Sequence, residues 1–450
     1  MPTRSQAALF FLITLFLASW HLDAGHNDNT MSRAASVASL VDRGTLEITP
    51  IQNVTGDKCI ENGRYYSDKA PLPTFVVLPF HWLAVHLGMV KPGADGTLTD
   101  GLLRLGGFIC GSIPFALLVL LAWSDLRKRK DPLPLNPALL AALPFFGSFL
   151  FVYSGSFYNH LPEALFAVLA ARAMLRDRSF TAGLCGGAAF LCGSATLLLA
   201  FVWGVQLLLQ RRWKNAGLFT LGLIPAFLFC AAYNMAVTGN AFVFPNAYAV
   251  NYGIMHHQYG FGTWQPAAFM GLLFSDYRGL LFYMPFLILA FFTLPFRMSW
   301  KAFLLDPFIL PALLLIGAFL THATWNGGWT YGPRYIMSAA GLLAFAVFQR
   351  IERRPWMRSA VIGLSAFGMI CAFAAKSTVG YSFPTEMKHP LTEQLWPNIM
   401  SGNWTVDQWP VALGLSPAAS TAAFVITFAL GLYLLVRIDR SSQHAPLPLS

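Results

Sequence analysis

The chain has 450 residues, of which 56% are hydrophobic and 11% charged, with a mean hydropathy of +0.54. A soluble globule of this size carries about a quarter charged residues, so the composition excludes one. The formal net charge of +10 raises the question of nucleic acid, but the basic residues lie in short hydrophilic breaks between apolar runs. That pattern is topogenic and argues against a nucleic-acid partner.

Runs such as 102–124 and 416–436 are unbroken and apolar. At about 1.5 Å per residue they cross ~30 Å of hydrocarbon as helices, and their lack of alternation excludes a barrel. In chain order, spans are predicted at 6–22, 102–124, 135–153, 160–176, 182–210, 216–237, 279–296, 302–321, 333–349, 357–375 and 416–436. The first follows Arg4 and has the shape of a signal peptide, but it lacks a small-x-small cleavage site and reads as a retained signal anchor. The 182–210 run is read as two short crossings broken near Gly193 and Ser194, because a single crossing turns the basic cluster at 211–214 outward. The prediction is an all-α polytopic membrane protein of about twelve transmembrane helices, a single domain over 1–450.

Basic clusters at 127–130, 172–178, 211–214, 297–301, 349–358 and 437–440 are assigned to the cytoplasm, with both termini. The outer segments are then 23–101, 154–159, 238–278, 322–332 and 376–415. The first is long and holds nearly half of the acidic residues, and its stretch 75–88 is too short for a span and suits a helix lying in the interface. Cys59 lies in that loop while the other five cysteines sit in apolar runs, so no disulfide framework is implied.

Candidate chemistry concentrates on the outer side. From Ser32 the spacing suits an interfacial helix ending near Gly44, which leaves Asp28 close to the head groups, either as a general base or, with Asn27, as a helix cap. "TGDK" (55–58) and "YYSDKAP" (65–71) repeat one theme, an acid beside a lysine and then a turn, with Lys69 as a phosphate partner and Asp68 either holding that lysine or serving as the base. Tyr65 and Tyr66 offer aromatic faces for a sugar ring. His160 and Glu163 fall one turn apart and suit substrate hydroxyls or an interfacial cap; two such ligands are a weak metal signal. Arg278 follows Asp276 and Tyr277 at the mouth of a span and reads either as a head-group anchor or as a second phosphate ligand. In "WNGGWTYGPRY" (325–335), glycines, Trp325, Trp329, Tyr331 and Arg334 together suit an anionic phosphate approached by backbone N–H groups.

The segments "NDNTMSRAASVASLVDRGTLEI", "TGDK", "GRYYSDKAP", "GLLFSDYRGLLFYMP" and "WNGGWTYGPRY", in this order, resemble the GT-C superfamily of membrane glycosyltransferases, in particular the family-39-like branch of protein O-mannosyltransferases and lipid A aminoarabinose transferases. The resemblance implies eleven to thirteen transmembrane helices, a long first extracytoplasmic loop with interfacial helices, and a sugar donor carried on polyprenyl phosphate. It places the catalytic acid on Asp28, the loop lysine on Lys69 and the late arginine on Arg334 or Arg278. Where relatives carry two adjacent acids, Asp28 is followed by Asn29, which keeps Asp57 and Asp68 open as the base.

The expected reaction is an inverting displacement at the anomeric carbon on the extracytoplasmic face of a bacterial inner membrane. The acceptor hydroxyl belongs to an envelope lipid, glycan or protein, and no cofactor or metal is called for because the cations are built in. A secondary transporter is the rival, but charged residues within the spans are scarce and the acids gather in one outer loop. A noncatalytic scaffold is a third reading, which loss of the loop acids would leave intact.

Overall fold

In the computed structural model, residues 3–90, 100–294 and 298–441 are described. Residues 91–99 of the predicted first outer loop, and Arg297 of the predicted basic cluster at 297–301, lie outside them. The principal helices are α1 (Arg4–Ala18), α2 (Asp28–Arg43), α3 (Leu72–His86), α4 (Asp100–Leu126), α5 (Pro137–Phe146), α6 (His160–Leu175), α7 (Ser179–Cys192), α8 (Leu197–Leu209), α9 (Trp213–Thr238), α10 (Ile309–Phe319), α11 (Met337–Arg350), α12 (Met357–Ser377) and α13 (Pro417–Ser441).

Four single helices, α4, α9, α12 and α13, are long and apolar enough to cross a bilayer. A fifth crossing is the pair Pro137–Phe146 and Phe149–Gly155, bent by 70°. This is an integral membrane protein, but several predicted spans are shorter than the sequence suggested. Helix α1 has 15 residues, about 22 Å at 1.5 Å rise, and α7 and α10 are shorter still. Predicted span 279–296 is not one helix: it breaks into Leu280–Tyr283, Pro285–Leu289 and Ala290–Thr293, because Pro285 cannot donate a backbone hydrogen bond and Met284 before it is pushed out of the helical region. The break expected near Gly193 is present. Helix α7 ends at Cys192, and a side chain at Gly193 would come within 2.6 Å of a Glu163 oxygen.

The basic clusters converge on one end of the bundle. Arg172 and Arg176 both reach Asp125, at 2.7 and 3.2 Å. Arg212 pairs with Asp177, Arg129 donates to the Ile351 carbonyl, and Asp439 accepts from Trp123 and Asn136. Gln6 of α1 meets Ser441 of α13 at that same end.

At the opposite end lies the first loop, folded into helices α2 and α3 and a hairpin. Asn27 caps α2 by accepting from the Asn29 N–H, and α2 stops at Gly44 as its spacing predicts. Strands β1 (Lys58–Glu61) and β2 (Arg64–Ser67) pair antiparallel across Asn62–Gly63, both at positive φ, the pair that a two-residue hairpin turn favours. Helix α3 leaves Val76, Phe80, Trp82 and Leu83 exposed while Val77 and His81 are buried, an apolar outer face that fits an interfacial position.

Candidate active site

The hairpin register explains the repeated acid–lysine theme. Lys58 pairs with Ser67, so the residues just outside that rung, Asp57 and Asp68, emerge side by side at the open end of the ladder. Lys69, next along, reaches both: its Nζ lies 2.7 Å from Asp57 Oδ2 and 3.0 Å from Asp68 Oδ1. Burial alone raises the Asp57 carboxyl, but the charge and hydrogen bond of Lys69, helped by Arg334, carry it below the usual carboxylate range. For Asp68 burial wins, and the Asp57 charge adds to it, so its carboxyl is raised. Burial pulls the Lys69 ammonium down, the two carboxylates more than offset that, and the lysine stays charged. One cation thus sits between two neighbouring carboxyls that are shifted in opposite directions.

A second latch fixes Asp28. Its Oδ1 accepts from the Gly56 N–H at 2.7 Å, and its carbonyl accepts from Thr55 Oγ1 at 2.7 Å, tying the start of α2 to the loop that carries Asp57. Asp28 is exposed and pairs with no cation among the described residues. In the Asn326–Arg334 turn, Gly327 and Gly328 both adopt positive φ and bring Arg334 back across this loop. Arg334 donates to Tyr158 Oη at 3.0 Å, and Tyr158 donates to Asn27 Oδ1 at 2.9 Å. The capping residue of α2 therefore also anchors the arginine.

Two polar chambers meet at Asp57, Tyr252, Gly328 and Arg334. The inner one, of ≈ 490 Å³, holds Lys69, Arg334 and Arg33 against Asp57 and Asp68. Arg33 is buried, bonded to Asn159 Oδ1 at 2.7 Å and to Asn29, and its Nε has no hydrogen-bond partner. The Nε of Arg334 is likewise buried without one. Buried donors left without a partner are costly, and two of them lie beside this one cavity. The outer chamber, of ≈ 630 Å³, is lined by Asp23, Asp28, Asp57 and Asp407 together with His21, Trp329 and Lys376. Burial raises the Asp23 carboxyl to about 6, against the opposing hydrogen bonds of Tyr381 and Gly25.

Of the predicted residues, Asp28, Asp57, Asp68, Lys69, Arg334, His160 and Trp329 line one or both chambers. Arg278 does not, which corrects its assignment to phosphate. It is wholly buried and spends its guanidinium on the carbonyls of Tyr277, Asn326, Gly328, Phe383 and Pro384, so it clamps the 326–328 turn to the 383–384 segment. Tyr65 and Tyr66 do not face a chamber either: they pack the hairpin onto neighbouring apolar clusters. Trp325 packs edge-on against Tyr277, and Tyr331 is buried against Tyr283 and Phe383. Glu163 sits behind the inner chamber, bonded to Ser338 and Asn159 and 3.5 Å from His160 Nδ1, and among the described residues no third ligand joins them as a metal would need.

Sequence reasoning missed Arg33, Tyr158, His21, Asp23 and Tyr252. The first had a usable signal, an arginine on the apolar face of an amphipathic helix; the others are brought in by tertiary contacts alone.

No protein-family model and no curated protein matches the chain. Among solved structures it is similar to ArnT from Cupriavidus metallidurans bound to undecaprenyl phosphate, at 16% identity and a TM-score of 0.43, covering 98% of this chain and 76% of that one. Apo ArnT from the same organism gives 17% identity and a TM-score of 0.45, covering 97% and 76%. The archaeal oligosaccharyltransferase AglB from Archaeoglobus fulgidus, in complex with an inhibitory peptide and a dolichol-phosphate, gives 12% identity and a TM-score of 0.40, covering 99% of this chain and 56% of AglB. All three overlaps fall below a TM-score of 0.5, and the functional reading rests on the residues of the site.

Proposed function

We propose that this protein is a glycosyltransferase that moves a sugar from a polyprenyl-phosphate donor to an acceptor hydroxyl on the extracytoplasmic side of a bacterial inner membrane. The observation that carries the reading is the inner chamber, where Lys69, Arg33 and Arg334 surround a cavity with both arginine Nε groups unpartnered. The donor phosphate takes those N–H bonds, and its leaving charge grows in the transition state, so fixed cations favour the transition state over the ground state. An ammonium has three donors and Lys69 uses two on carboxylates, leaving one for a phosphate oxygen.

Asp28 is the base in this account. Asp57 and Asp68 are both closed on Lys69, and Asp28 alone of the three has no ion-pair partner among the described residues while facing the outer chamber. It takes the proton of the acceptor hydroxyl, the acceptor oxygen bonds to the anomeric carbon, and the bond from that carbon to the phosphate oxygen breaks with its electron pair leaving on the polyprenyl phosphate. Attack from the opposite chamber gives inversion. The basic end of the bundle then faces the cytoplasm with both termini, the shorter apolar helices complete about twelve crossings, and the chemistry uses no metal.

The test is transfer from radiolabelled polyprenyl-phosphate sugars to extracted envelope acceptors by the purified chain, compared with Asp28→Asn, Lys69→Met and Arg334→Ala. Transfer by the wild type and its loss in each variant supports the reading; undiminished transfer in all three refutes the site.

A further inference from the structure

The outer chamber differs in charge from the inner one. Four carboxyl groups line it, Asp23, Asp28, Asp57 and Asp407, of which Asp57 is paired with Lys69 and Asp407 with Arg104 at 3.5 Å, while Asp23 and Asp28 have no ion-pair partner among the described residues; the cations that line it are unavailable to a ligand. Lys376 spends its three donors on the carbonyls of Phe151 at 2.8 Å and Ala18 at 3.3 Å and on Ser154 Oγ, so it stitches helix ends together. Arg334 stands at the partition, where the donor phosphate occupies it. A second anion entering here meets carboxylates and no free cation, which costs electrostatic energy.

What the chamber does offer is a match for hydroxyl groups. His21 lines it, is 4% exposed, and neither of its ring nitrogens has a hydrogen-bond partner. A neutral imidazole presents one donor and one acceptor, and a hydroxyl can satisfy either. Trp329, 53% exposed, adds a flat indole face of the kind that stacks on a sugar ring. The volume of ≈ 630 Å³ falls within the range of about 300–1,000 Å³ for small-molecule sites.

We propose that this chamber is the acceptor subsite and that it selects a neutral, hydroxyl-rich carbohydrate, stacked on Trp329 and hydrogen-bonded to His21, over a phosphorylated or carboxylated acceptor. The assignment of the chamber to the acceptor rests on the donor reading above; its preference for neutral carbohydrate is measurable without it.

The test uses the full chain in phosphatidylcholine nanodiscs on an array of neutral, phosphorylated and uronate-bearing glycans and serine- or threonine-containing peptides. Saturable binding is expected on neutral glycans, at least about tenfold tighter than on their phosphorylated counterparts, with about a tenfold loss in Trp329→Ala. The exposed Trp329 can be removed without disturbing the core, and His21→Gln, which keeps a donor and an acceptor, serves as a second variant with an intermediate loss. Equal or tighter binding to anionic glycans or to peptides, binding to none of the array, or no effect of Trp329→Ala overturns the proposal. Undecaprenyl phosphate binding to the wild type is read in a separate arm. Failure there strikes the donor reading and leaves the glycan result standing.

Discussion

Replacing Lys69 by methionine removes the only cation paired with Asp57 and Asp68 among the described residues and leaves two adjacent carboxyls largely out of solvent, their side chains 8% and 4% exposed. Removing one partner of a buried ion pair costs about 3–5 kcal/mol, because the remaining charge has lost its compensation. Part of that cost is recovered as proton uptake: Asp68 is already raised and Asp57 follows once Lys69 is gone. Lys69→Met should therefore lower the unfolding temperature most at alkaline pH and least at acid pH, where proton uptake relieves the unpaired charge. The paired replacement Asp57→Asn with Lys69→Met removes both charges and should restore most of the stability, yet it should still bind undecaprenyl phosphate poorly, since a phosphate contact is missing. Thermal unfolding in detergent across pH 4–9, with lipid binding followed by native mass spectrometry, separates the two effects. If the double variant regained lipid binding along with stability, Lys69 would be a structural partner of Asp57 and not a phosphate ligand.

Other changes give sharper local tests. In Gly56→Ala the new methyl would sit 2.9 Å from Asp28 Oδ2 and from Asn251 Nδ2, so it should swing the Asp28 carboxylate aside, cutting transfer by at least tenfold with an unchanged unfolding temperature and unchanged donor binding. Tyr158→Phe breaks the relay from Arg334 to Asn27 and should cost about 1.5–3 kcal/mol through the charged hydrogen bond, seen as weakened undecaprenyl phosphate binding. Asp23, raised to about 6 by burial, binds a proton more tightly folded than unfolded, so its ionisation opposes folding above that value. Asp23→Asn should then be more stable than the wild type at pH 7–8, with the advantage shrinking through pH 6 and gone below about pH 4, as pH-resolved unfolding can check. Arg278→Lys should destabilise the fold, since one ammonium cannot serve five carbonyls, while the folded fraction keeps wild-type donor affinity.

How much of this was legible in the sequence depends on whether local pattern or tertiary contact set the outcome. The end of α2 at Gly44 and the break at Gly193 follow from spacing and composition, which a linear reading captures. Asp57 and Lys69 could be singled out because acid and lysine recur in two short segments. What brings them together is the hairpin closed by the Asn62–Gly63 turn, a tertiary pairing that neither segment shows by itself. Arg278 and Arg334 look alike in sequence, each at the start of an apolar run beside aromatics. Only the backbone path decides that five carbonyls close over one and leave the other facing a cavity. Span lengths were overestimated where proline and glycine interrupt an apolar stretch, as at Pro285, because hydropathy averages over a break that the backbone cannot ignore.

The most direct measurement is an experimental structure of the protein with undecaprenyl phosphate. The account predicts the phosphate in the inner chamber, its oxygens ~2.7–3.0 Å from Lys69 Nζ and from guanidinium nitrogens of Arg334, with the anomeric position opening toward Asp28. A phosphate bound outside that chamber, with Lys69 still closed on Asp57 and Asp68 and both arginine Nε groups still unpartnered, would contradict it.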